Sequence, residues 1–185
     1  MTKFKFWIMM LLIFSFVNLV ACNKEEDDYE WHLLTSQEYY MMQEITVDYY
    51  ENFDESMKIY SEVLSHFKTI DGEYTDDFGG VFIDSDGLLN VLVIGSRKPV
   101  ELDYLIYQQA ENSFNALLSI FDEASKVVRD YTIWKVALCV SSNIVLIGLE
   151  DDSAISLIVD HLNDKQLYNK DAIAFYVGEP TIQLE

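Results

Sequence analysis

The feature that most limits the fold is a change of hydrophobic period partway along the chain. Met42, Ile45, Tyr49, Phe53, Met57, Tyr60, Leu64 and Phe67 recur at spacings of three and four, which puts them on one stripe of an amphipathic helix. Thr35 with Glu38 forms a capping box before this stripe, and Asp71-Gly72 ends it. A break is expected near residues 54–56. The stretch 29–72 therefore reads as a long N-terminal helical segment, and its Tyr and Met residues read as a packing face in preference to a ligand groove.

Beyond residue 72 the pattern becomes β-rich. Residues 79–84 and 88–94 are short apolar runs joined by Ser85-Asp86-Gly87, a hairpin turn signal. A further strand is expected at 105–109, and Ser113 then caps a helix carrying Phe114, Leu117, Leu118, Phe121 and Val128 on one face. Residues 133–140 alternate, with Trp134, Val136, Leu138 and Val140 assigned to one side. Ser141-Ser142-Asn143 turns the chain into a strand at 144–149. Asp151 to Ser153 cap a helix bearing Ile155, Ile158 and Leu162, and a last strand at 172–177 is stopped by Gly178 and Pro180. The predicted fold is α+β: the long helix, then β-β-β-α-β-β-α-β, a mixed sheet of hairpins with two helices packed on one face. Residues 73–185 form this α+β domain, and nothing in them suggests a linker or a repeat.

The N-terminus has a different character. Lys3 and Lys5 precede an apolar run, 6–20, interrupted only by Ser15 and Asn18, the pattern of a secretory signal. Leu19-Val20-Ala21-Cys22 resembles the lipobox of bacterial lipoproteins, so residues 1–21 are expected to be a signal peptide and Cys22 the lipidation site. An uncleaved membrane anchor is the competing reading; both place the rest of the chain on the extracytoplasmic side. Acyl chains on Cys22 anchor firmly, because each buried methylene contributes about 0.8 kcal/mol. Residues 22–28 then form the lipidated cysteine and a charged tether, Asn23-Lys24-Glu25-Glu26-Asp27-Asp28.

Charge and cysteine count exclude several functions. With Lys3 and Lys5 removed from the 12 basic residues, ten remain against 32 acidic ones, a charge of about −22. Such a chain repels nucleic acid and favours cationic partners, although a solvated surface also accounts for the acids. Cys139 is the one thiol besides Cys22; it lies in an apolar run, where a cysteine behaves as a small hydrophobe. His32, His66 and His161 fall on separate elements without neighbouring metal ligands. Asp84-Ser85-Asp86-Gly87 begins like a calcium loop, but Leu88 occupies the next ligand position and no glutamate follows at the required spacing. Asp76-Asp77 would add oxygens only to a weak calcium site. Neither a nucleophile elbow nor a phosphate loop is present. The expectation is no catalytic residue, no cofactor and no metal.

The run Phe78-Gly79-Gly80-Val81-Phe82-Ile83-Asp84-Ser85-Asp86-Gly87-Leu88-Leu89-Asn90-Val91-Leu92-Val93 resembles the propeptide-type domain that precedes serine proteases of the alpha-lytic protease and streptogrisin group. The resemblance continues through 108–113, the following helix, 136–149 around Asn143, and 172–178. It implies a folding helper or inhibitor that binds a protease through a sheet edge and a C-terminal tail. The tail here is Gly178, Glu179, Pro180, Thr181 and Ile182. Residues 1–185 do not extend into the protease domain of that pattern, so no catalytic triad is carried over onto them. The linker 94–105 is shorter than the pattern, and the N-terminal helix lies outside it.

The function expected is a non-catalytic, lipid-anchored extracytoplasmic lipoprotein that binds another protein, as a propeptide-like inhibitor or folding helper. The alternative is an immunity or surface-interaction lipoprotein that captures a cationic toxin or peptide through its acidic face. A small-ligand or metal-binding role for the Tyr-rich N-terminal stripe ranks third. Substituting Cys22 by serine is expected to abolish incorporation of a fatty-acid label and to leave residues 1–21 attached. Intact-mass spectrometry reads both effects, and a full-length, unlabelled wild-type chain would sink the lipobox reading.

Overall fold

The computed structural model describes residues 31–42 and 53–178, except the side chains of residues 40 and 41. A two-residue strand β1, His32–Leu33, leads into helix α1, Ser36–Met41. The capping box forms as predicted: Glu38 accepts from Thr35 N at 2.9 Å, and Thr35 Oγ1 accepts from Glu38 N at 3.3 Å. Helix α2 covers Phe53–His66, with Asp54 and Glu55 in its first turn where the helix dipole favours them. The single long helix predicted from periodicity is described as two helices; the second runs unbroken through residues 54–56, where a break is predicted, and ends at His66, ahead of the predicted stop at Asp71-Gly72. Residues 43–52 between them lie outside the described residues, as do 1–30 and 179–185.

Strands β2 (Phe78–Ile83), β3 (Leu89–Val93) and β4 (Leu105–Gln109) form one sheet in that order. β2 and β3 are the predicted hairpin, whereas β4 runs parallel to β3 after the helix-free crossover 94–104. The odd-numbered face of β3, Leu89, Val91 and Val93, packs with Val63 of α2, with Phe67 just beyond that helix and with Phe78. Phe67 and Phe78 are fully buried with ring centroids 5.0 Å apart, each side chain worth about 1.5–3 kcal/mol in burial. Ser56 fixes the first turn of α2 over the β2–β3 turn by donating to Gly87 O at 2.5 Å.

The second half builds a separate sheet. Helix α3, Phe114–Lys126, begins at the predicted cap, with Ser113 Oγ accepting from Ala116 N at 3.2 Å. Strands β5 (Ile133–Cys139), β6 (Ile144–Leu149) and β7 (Ile173–Val177), with helix α4 (Ile155–Asp164) between the last two, complete the chain. The sheet order is β1-β7-β6-β5, with β7 parallel to both neighbours. The predicted single sheet is therefore two, of three and four strands. Ile144, Leu146, Ala174 and Tyr176 on one face meet Leu34 and Tyr39 of the N-terminal arm. Val145, Ile147, Ile173 and Phe175 alternate with them onto the other face, the side of α3 and α4, and are fully or almost fully buried.

A bulge corrects one predicted face. The β5–β6 register shifts between Ile133 and Lys135, so Trp134 leaves the side of Val136 and Leu138 and joins Ala137 and Cys139. Its ring meets Tyr176 edge-on at 6.0 Å and fills the space over Gly148, where a Cβ would lie 2.8 Å from the indole.

A polar junction fastens the small sheet to the large one. Asn143 sits at the β5–β6 turn with φ +54°, a conformation asparagine tolerates better than most residues. Its Oδ1 accepts from Asn112 N at 2.7 Å and Glu111 N at 3.2 Å. Its Nδ2 donates to Asn112 O at 2.9 Å and Gly79 O at 3.1 Å. Asn112 Nδ2 donates in turn to Asn143 O and Asp171 O, both at 3.1 Å, and its Oδ1 accepts from Asn169 Nδ2 at 2.9 Å. Gly79 and Gly80 permit the approach: a Cβ on Gly79 would stand 2.5 Å from Ala110 Cβ, and one on Gly80 2.5 Å from Val140 Cγ1.

Asn143→Ala removes four hydrogen bonds and leaves buried backbone groups unpaired in a left-handed turn, so urea unfolding is expected to show a loss of about 4 kcal/mol. Asn143→Gly keeps the turn and is expected to lose about 1 kcal/mol less. An alanine variant as stable as the parent would remove the junction from its structural role.

Candidate binding surface

A sheet edge exposes unpaired backbone groups, and folded proteins blunt such edges with short strands, bulges, lysines or covering elements. The two sheets have four edges, and three are treated this way. β1 has two residues. β5 carries the bulge at residues 133–135 and Lys135. β2 is bulged between Phe78 and Gly80, faces Val140 at Gly80, and has its Gly79 carbonyl taken by Asn143. β4, with the sequence LIYQQ, has no charge, no proline and no register shift against β3.

The ladder determines which β4 groups face outward. Leu89 N donates to Tyr104 O at 2.8 Å, and Ala110 N donates to Val93 O at 2.8 Å. With the unbroken parallel register between these ends, the backbones of Tyr104, Ile106, Gln108 and Ala110 turn toward β3. Those of Leu105, Tyr107 and Gln109 turn outward; among the described residues only Leu105 N has a partner, Leu102 O at 3.3 Å.

Side chains make this edge apolar. Leu102, Tyr104 and Ile106 are 36 %, 42 % and 37 % exposed. Tyr104 holds φ +68°, a costly conformation for a bulky residue, at the entrance to β4. Leu105 and Tyr107 point back to the α2 core. Tyr107 Oη donates to Val100 O at 2.9 Å, tying the crossover loop over that face; burial raises its pKa. On the opposite face Gln108 Nε2 donates to Asn90 Oδ1 at 2.6 Å, and Asn90 Nδ2 donates to Asp84 Oδ2 at 2.7 Å. Strand β4 is thus held on both faces and, among the described residues, left open along its edge.

The other residues singled out in the sequence are not brought together. Cys22, Glu179, Pro180, Thr181 and Ile182 lie outside the described residues. Gly178 ends β7 by donating from its N–H to Leu149 O at 2.9 Å. His32 is on β1 and His66 ends α2, where its carbonyl accepts from Arg97 Nη2 at 2.7 Å. His161 on α4 lies 3.1 Å from Glu123 Oε1, and that carboxylate also takes Lys126 Nζ at 2.6 Å. Among the described residues no group of three or more His, Cys, Asp or Glu side chains is arranged to hold a metal. Asp84 Oδ1 accepts from Asp86 N and Leu88 N, both at 3.0 Å, as a hairpin turn requires. Cys139 is half-buried, and that burial raises its thiol pKa, against a smaller opposing effect of Lys135.

Sequence reasoning placed β4 correctly but not its status as an edge, because edge position follows from pairing. One signal was available: no lysine, arginine or histidine occurs between Lys98 and Lys126, so the strand lacks the usual basic guard. No family model matches the chain, and no curated protein matches it.

Proposed function

We propose that this chain is a non-catalytic, lipid-anchored extracytoplasmic module that binds another protein by accepting an extended segment beside β4. The observation that carries this reading is the contrast among the four edges: three are blunted, and the fourth offers outward backbone groups beside Leu102, Tyr104 and Ile106. Backbone pairing supplies affinity in such an arrangement, and the exposed side chains select the partner. The lipobox at Cys22 keeps the module at the membrane surface. A propeptide-like inhibitor or folding helper fits the same surface, with a strand of a serine protease as the added element. The non-catalytic part of the proposal draws on His32, His66 and His161 standing apart and on the protonated state that burial favours for Cys139.

Gln109→Pro tests the edge. The Gln109 N–H points outward and its side chain is exposed, so proline removes a donor that only an added strand would use. Ile106→Lys supplies a charge guard by a different route. The full chain in detergent, immobilised and exposed to extracytoplasmic proteins of its own organism, is expected to retain a partner identifiable by mass spectrometry. Both variants are expected to reduce that retention at least about tenfold while keeping the circular dichroism melting curve of the parent. Retention unchanged in both variants would rule out β4 as the binding edge.

A further inference from the structure

Resting on that reading, we infer that the segment taken up by β4 belongs to a partner protein and is an apolar strand flanked by lysine or arginine. The charges around the edge carry the inference. Glu101 and Asp103 precede β4, Glu111 follows it, and all three are exposed. Lys98 stands 5.9 Å from the Tyr107 ring centroid, on the face covered by the crossover loop. Arg97 is committed to Asp77 at 3.0 Å and to His66 O. Carboxylates therefore bracket a strand whose own five residues are uncharged.

Five residues of added strand span about 17 Å, so the ends of a paired segment fall beside these carboxylates, and its centre falls beside Ile106 and Tyr104. Opposite charges across such an end stabilise pairing, and like charges oppose it. This argues against a second copy as the occupant. An antiparallel β4–β4 dimer would set Glu111 of each copy near Glu101 and Asp103 of the other, between two chains of the same large negative charge. A basic-flanked segment meets the opposite condition.

The test uses the full chain in detergent and two synthetic peptides of about nine residues, the length of a strand with short flanks. Both have alternating isoleucine and threonine in the centre; one ends in lysines and the other in glutamates. The lysine peptide is expected to bind at least about tenfold more tightly, the size expected of three exposed ion pairs acting together. That advantage is expected to shrink when ionic strength rises from about 0.05 to about 0.5 M. It is expected to reverse in a triple variant, Glu101→Lys, Asp103→Lys and Glu111→Lys, and all binding is expected to be lost in Gln109→Pro.

Equal binding of both peptides, abolished by Gln109→Pro, would overturn the charge inference and leave the edge reading standing. Binding that survives both Gln109→Pro and Ile106→Lys would overturn the edge reading itself. Sedimentation showing dimers that Gln109→Pro dissociates would assign the edge to a second copy and overturn the inference. A monomer that binds neither peptide would overturn both.

Discussion

The Asn143 side chain is the interaction on which the rest of the arrangement depends. It occupies a turn that needs a positive φ, and from there it pairs with the backbone of two separate segments: Gly79 on β2, and Glu111 and Asn112 ahead of α3. A buried amide stabilises only when its donors and acceptors are satisfied, and leaving them unmet costs more than the bonds return. Asn143 therefore acts as a geometric condition: the two sheets have to meet in one register for the amide to be satisfied. Asn112 extends the condition to the start of β7 through Asp171 and Asn169. The glycines at 79 and 80 are the steric counterpart, since any Cβ there would collide with Ala110 or Val140.

This junction also decides which edge remains open. By drawing the Gly79 carbonyl to Asn143 and Val140 against Gly80, it closes the β2 side of the small sheet. α2 covers one face and the crossover loop is tied down by Tyr107 and Val100. What is left is the outer side of β4. An unguarded apolar edge invites aggregation, and a chain with a large negative charge limits that hazard, because copies repel one another while a cationic segment is attracted. On the proposed reading, the acidity that first reads as a solubility device also acts as a filter on what pairs with β4.

Local rules were legible in the sequence and non-local ones were not. The Thr35–Glu38 box, the Ser113 cap, the Asp84–Gly87 turn and the Asn143 turn each depend on residues within a few positions, and the structure shows each of them. The face of Trp134 was misread because a bulge is invisible to strict alternation; only Gly148, opposite it, supplies the space that the indole fills. One sheet was expected and two formed, because alternation within 78–94 and 133–149 identifies hairpins without saying which strands pair beyond them. The parallel β3–β4 and β6–β7 pairs come from crossovers, which local patterning does not encode. The open edge was out of reach for the same reason, although the absence of basic residues around β4 was already in the sequence.

The N-terminal arm shows how an edge can be closed with little strand. β1 pairs with β7 through His32 and Leu33 alone, and Leu34 N adds a bond to Phe175 O at 2.7 Å. Two residues of pairing are too few to hold a strand by themselves. Apolar and aromatic packing holds the arm instead: Leu34 is buried, and the Tyr39 ring stacks on Tyr176 at 3.9 Å while meeting Trp134 edge-on at 6.0 Å. The bulge that turns Trp134 to this side therefore supports the guard of the β7 edge as well as blunting β5. One irregularity in β5 serves two edges of the large sheet, and nothing comparable protects β4 among the described residues, so its exposure there is a property of the architecture and not of one missing residue.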